Sequence, residues 1–95
     1  MIPRTEEDKA RYVLKAFELR KASVGSKVRT YDFREISAEL GIYADELMDG
    51  MPRGIAAGWF EIDQRDQAVL VLTEAGFAEM VSERIKNLEP VIEVK

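Results

Sequence analysis

Ala57-Gly58-Trp59-Phe60-Glu61-Ile62-Asp63, and then Gln67-Ala68-Val69-Leu70-Val71-Leu72-Thr73-Glu74-Ala75-Gly76, is the stretch where the chain changes period. Its two apolar runs are rich in β-branched and aromatic residues, the composition of strands. The connection Asp63-Gln64-Arg65-Asp66-Gln67 is polar and of hairpin length. Thr73 is placed to cap a helix, with Glu74 in its first turn. Phe77, Met80, Val81 and Ile85 form an apolar stripe, which predicts a last helix running to about Asn87. Leu88 to Lys95 contains Pro90 and alternating Val91, Glu93 and Val94, and reads as a tail or an edge strand.

Upstream of the hairpin the period is helical. Leu47, Met48, Met51 and Ile55 recur at helical spacing between Tyr43 and Gly58, with Asp45 and Glu46 suited to an early turn. Gly50, Pro52 and Gly54 fall inside that pattern, and a proline in a helix interior costs about 3 kcal/mol. The sequence therefore predicts one helix interrupted near Met51-Pro52, in preference to two pieces with Pro52 opening the second. Gly50, Gly54 and Gly58, four residues apart, read as helix-interface or kink positions. A short second helix starts at Asp32 with Glu35 three positions on, in the manner of a capping box, and buries Phe33, Ile36 and Leu40 before Gly41 ends it. Val28-Arg29-Thr30 is a short strand-like patch. The first helix, expected over about residues 5–22, opens at Thr5 and buries Ala10, Val13, Leu14 and Phe17 before the stop at Val24-Gly25-Ser26.

The order is helix, short strand, helix, tight turn, helix, two-stranded hairpin, helix. This order resembles the winged helix-turn-helix family over roughly residues 10–87. Leu40-Gly41-Ile42 sits where such domains turn between their second and third helices. Ala57-Gly58-Trp59-Phe60-Glu61 matches the step from third helix to wing, and Leu72-Thr73-Glu74-Ala75-Gly76 looks like the Leu-Thr-x-x-Gly opening of the helix after it. The resemblance implies an α+β, mainly α fold: a winged helix with a three-helix core, a short strand, a two-stranded wing and a C-terminal helix. It would occupy a single domain over 1–95. It also implies duplex DNA binding in transcription control, with the third helix in the major groove.

Charge complicates that expectation. Asp45, Glu46 and Asp49 on the third helix stand against Arg53 alone, and Asp63 and Asp66 in the hairpin loop stand against Arg65. Both surfaces that should meet a polyanion are acidic. Basic residues gather instead between Arg20 and Arg34, where Arg20, Lys21, Lys27, Arg29 and Arg34 face only Asp32. Lys27, Arg29 and Arg34 border the second helix, and are either a phosphate-holding rim or an ordinary solvated face. Arg53 stands to contact guanine in a groove or to pair with Asp49 at i, i+4. Arg65 stands to enter a minor groove or to be neutralised by its acidic neighbours. Tyr43 is either a phosphate contact or, by preference, a half-buried ring packing the turn, and Trp59 is expected in the core.

Composition narrows the alternatives. Ninety-five residues leave room for one core, and a formal net charge of −4 rules out non-specific nucleic-acid binding through net charge. The sequence has no Cys and no His, so disulfides, thiolate nucleophiles and the commonest metal ligand are excluded. No spacing identifies a working carboxylate pair or a phosphate-cradling glycine loop, and Asp63–Asp66 is too short for a calcium loop. No enzyme activity and no cofactor are expected. The acidic start and the five-residue longest apolar run, Ala68–Leu72, predict a cytoplasmic protein with no membrane association. The alternative to DNA is a protein-interaction module whose acidic third helix and wing dock a basic partner. Apolar surface on the first and last helices and the tail makes a homodimer plausible in either case.

Overall fold

Thr5 opens the first helix as expected, its hydroxyl accepting from Asp8 N at 3.0 Å. A computed structural model of the chain describes residues 4–82. In chain order these form α1 (Glu6–Leu19), β1 (Lys27–Arg29), a 3-10 turn (Thr30–Asp32), α2 (Phe33–Leu40), α3 (Ala44–Ala56), β2 (Phe60–Ile62), β3 (Val69–Leu72) and α4 (Glu74–Met80). The described residues are thus α+β and mainly helical, with four α-helices and one small antiparallel sheet.

The sheet order is β1-β3-β2. Val28 pairs with Leu70, which pairs with Ile62, while Lys27 pairs with Val71, which pairs with Glu61. Alternation sends Val28, Phe60, Leu70 and Leu72 inward, where all are buried. Lys27, Arg29 and Glu61 stay on the outer, exposed face. The inner face meets the predicted α1 stripe, and Phe17 and Phe60 stack with ring centroids 6.1 Å apart, worth about 0.5–1.5 kcal/mol beyond area burial. Phe33, Ile36 and Leu47 complete one contiguous cluster.

Several boundaries differ from the sequence reading. α1 stops near Leu19, not at about residue 22, because Lys21 takes φ +54 and the N–H groups of Lys21 and Ala22 return to the carbonyls of Glu18 and Phe17. This is a Schellman closure made without glycine. Asp32 does not cap α2, because the 3-10 turn already supplies a carbonyl, with Phe33 N donating to Thr30 O. Gly41 does end α2 in the left-handed region, at φ +76. The strand expected at Val28–Thr30 lies one residue earlier.

α3 is one helix, as expected in preference to two pieces. Ala44–Ala56 is a single helical run with Pro52 inside it. Pro52 is exposed, so the carbonyl that loses its partner can turn to water instead of lying stranded in the core. The glycines answer to packing. A Cβ at Gly50 would stand 2.5 Å from Lys9 O and 2.6 Å from Ala10 N in α1, and one at Gly54 would overlap the Phe60 ring. They let α3 press onto α1 and onto the start of β2. With those positions turned inward, Met48 points outward and is 47% exposed, although it shares the helical spacing of Leu47, Met51 and Ile55. Val81, expected in the α4 stripe, is also exposed, because α4 ends at Met80. The expected continuation to Asn87, with Ile85 and the 88–95 tail, lies outside the described residues.

Candidate nucleic-acid interface

The helix-to-hairpin junction positions everything downstream of α3. Gly58, at φ +81, turns the chain from α3 into β2. Thr73 meets that turn from the other side: its N–H donates to Trp59 O at 3.1 Å and its hydroxyl to the carbonyls of Gly58 and Trp59. The same hydroxyl accepts from Gly76 N at 3.0 Å and so caps α4. A Cβ on Gly76 would overlap Trp59 O and stand 2.9 Å from Leu72 Cδ1. The Leu-Thr-x-x-Gly segment is thereby accounted for residue by residue.

Trp59 is half-buried against the core, with the Arg11 guanidinium 5.6 Å from its ring centroid. Arg11 also reaches Glu79 of α4 at 3.0 Å, and Glu7 and Asp8 of its own helix at 2.8 and 3.0 Å. Burial pulls the Arg11 pKa down, but the hydrogen bond to Glu79, the charge of Glu7 and the hydrogen bond to Asp8 prevail, and its pKa is raised. The contact to Glu79 was not legible in the sequence, because Glu79 is remote from Arg11 in the chain.

Long-range pairing also reorders the charge on α3. Glu46 binds Arg4 at 3.2 Å and accepts from Tyr43 N at 3.2 Å, and Asp49 binds Lys9 at 3.4 Å. Two of the three acids counted against DNA are therefore matched by cations from the amino-terminal segment. Arg53 is exposed and lies 3.9 Å from Glu7 rather than pairing with Asp49. Tyr43 is 74% exposed, correcting the expectation of a half-buried ring. It occupies the N-cap position of α3, outside the first turn that packs inward.

The hairpin shows the same redistribution. Asp63 lies 3.7 Å from Lys27, and Asp66 turns back to accept from Ala68 N at 3.0 Å. Arg65, exposed at the turn, has no ion pair among the described residues. Of the basic rim, Lys27 is held by Asp63, while Arg29 and Arg34 are exposed and likewise unpaired among the described residues. Arg29 ends β1 and Arg34 lies in the first turn of α2, with the 3-10 turn between them. Arg65 lies at the hairpin tip and Arg53 on α3. Tyr31, which the sequence reading passed over, sits on that 3-10 turn and is 71% exposed.

No match to the chain is found among protein-family models, curated proteins or solved structures. Among the described residues, no group of three or more His, Cys, Asp or Glu could hold a metal ion, and no helix is long and apolar enough to cross a membrane.

Proposed function

We propose that the chain is a winged-helix domain that binds duplex DNA, in the service of transcription control. Support for the fold comes from the strand order β1-β3-β2, with β1 leading into α2 and the β2–β3 hairpin following α3. The observation that carries the functional reading is the distribution of unpaired charge. Arg29, Arg34 and Arg65 are exposed and unpaired among the described residues, while Glu46, Asp49 and Asp63 are engaged by Arg4, Lys9 and Lys27. Arg29 and Arg34 hold phosphates, joined by Lys27 once a phosphate competes with Asp63. Arg65 reaches into a groove from the hairpin, and Arg53 and Tyr43 contact DNA from α3. Fluorescence anisotropy with random duplex DNA at about 50 and 200 mM salt tests this reading, since phosphate contacts weaken as salt rises. Affinity that falls steeply with salt, and falls again in the Arg29→Ala/Arg34→Ala double variant, supports it; no binding at the lower salt sinks it.

A second reading, a protein-interaction module, is favoured by the outer face of α3. Asp45, Met48 and Pro52 are exposed there beside Tyr43, and this apolar, acidic surface suits a basic partner better than a phosphate backbone.

A further inference from the structure

Tyr31, 71% exposed, lies in the chain between Arg29 and Arg34, which are both exposed and unpaired among the described residues. Arg29 supplies the extended N-cap of the 3-10 turn, Tyr31 lies within the turn, and Arg34 follows in the first turn of α2. Tyr31 and Arg34 are three residues apart where the turn runs into α2, a helical spacing that puts neighbours on one side, and both are exposed. Arg29, exposed on the outer face of β1, leads directly into this turn.

The neighbouring charges are distributed to leave this edge cationic. Lys27, two residues before Arg29 on the same face, is drawn toward Asp63. Asp32 lies 4.0 Å from Arg20. Glu35, exposed one position beyond Arg34, is the acid that opposes anion binding here.

We infer that Arg29, Tyr31 and Arg34 form a backbone clamp for duplex DNA, in which the Tyr31 hydroxyl donates to a phosphate oxygen and the two guanidinium groups hold the flanking phosphates. The inference rests on the DNA-binding reading and adds to it a neutral donor that the charge pattern could not show. A phenol is protonated at neutral pH, and its O–H···O bond to a phosphate is charge-assisted. Such contacts fix the register of a protein on the duplex without reading its sequence. The ring itself stays outside the stack, since duplex bases offer it no open face.

The test compares wild type, Tyr31→Phe, Tyr31→Ala, Arg29→Ala and Arg34→Ala on the same random duplex across a salt series. Tyr31→Phe should weaken binding about tenfold or more, the size of one charge-assisted hydrogen bond. It should leave the slope of log affinity against log salt unchanged, because no charge is lost. Each arginine variant should flatten that slope by about 0.9. Thermal midpoints equal to wild type for both tyrosine variants establish that the fold is intact, as the exposed position requires. If wild type binds and Tyr31→Phe binds as tightly, the clamp is wrong while the DNA reading stands; a loss confined to Tyr31→Ala makes the ring a packing contact and also overturns it. Failure of wild type to bind at any salt overturns the DNA reading, and the clamp with it.

Discussion

Gly76 abuts the backbone of Trp59 so closely that a side chain at position 76 would stand 2.7 Å from the Trp59 carbonyl carbon. The obstacle is main chain, not the movable end of a side chain, so relief requires α4 to shift away from the β2 entry. Gly76→Ala should therefore destabilise the fold by about 1–3 kcal/mol, the usual cost of overpacking. Chemical denaturation would show a lowered midpoint, and a midpoint at or above wild type would mean that α4 docks elsewhere.

Gly50 and Pro52 should respond to alanine with opposite signs. Helix propensity alone favours alanine at both positions, by about 1 kcal/mol over glycine and about 3 kcal/mol over proline. At Gly50 the α1 backbone blocks the methyl group, so Gly50→Ala should destabilise by about 1–3 kcal/mol. Pro52 is exposed, so Pro52→Ala restores a backbone donor at no packing cost and should stabilise by about 1–2 kcal/mol after the more flexible unfolded chain is counted. Paired thermal melts check both signs at once.

Arg11 joins α1 to α4 through Glu79 and lies over Trp59. Arg11→Met keeps much of the apolar stem but leaves three carboxylates without their shared cation. It should cost about 2 kcal/mol, in the range of a hydrogen bond to a charged group. Trp59 is the sole tryptophan of the chain, so its emission reports this change directly. An unshifted spectrum together with an unchanged midpoint would remove Arg11 from the junction.

Asp45 and Glu46 are neighbours with different fates. Asp45 is exposed with no ion pair among the described residues, whereas Glu46 holds Arg4 and the Tyr43 N–H. Asp45→Asn should leave stability unchanged and, if the proposed DNA interface is right, raise duplex affinity about twofold to fivefold, since it removes an anion from the surface proposed to face phosphates. Glu46→Gln should instead lower stability by about 1 kcal/mol through the weakened cap. Anisotropy and melting of both variants separate these outcomes, and equal effects from the two substitutions would contradict the pairing.

The α+β class and the element order were legible because they rest on local signals. Thr5, Gly41, Gly58 and Thr73 punctuate the chain where their own backbone chemistry requires, and Ala10, Val13, Leu14 and Phe17 mark a buried stripe. The interruption of α3 was expected from the cost of Pro52 in a helix interior, and for Gly50 and Gly54 the sequence left helix-interface and kink roles both open, which packing decides. Their value lies in what approaches them, Lys9 and Ala10 in one case and Phe60 in the other. The site was legible as a set of residue types and illegible as a charge map. Counting Glu46, Asp49 and Asp63 as free anions assumed solvent around them, and their cations arrive from Arg4, Lys9 and Lys27, far away in sequence. Tyr31 had no periodicity to betray it, since its significance comes from exposure beside Arg29 and Arg34.

The Thr73 bonds to Gly58 and Trp59 bring the hairpin's departure and return to a single point. Beyond that knot, β2 and β3 run out to a turn whose tip residues, Gln64 to Gln67, are exposed. The tip is thus a graftable cassette. Doubling the length of a flexible loop adds only about 0.6 kcal/mol of closure entropy, so its residues can be exchanged or extended while the helices keep their seats. Sequence variation can accumulate there without renegotiating the core.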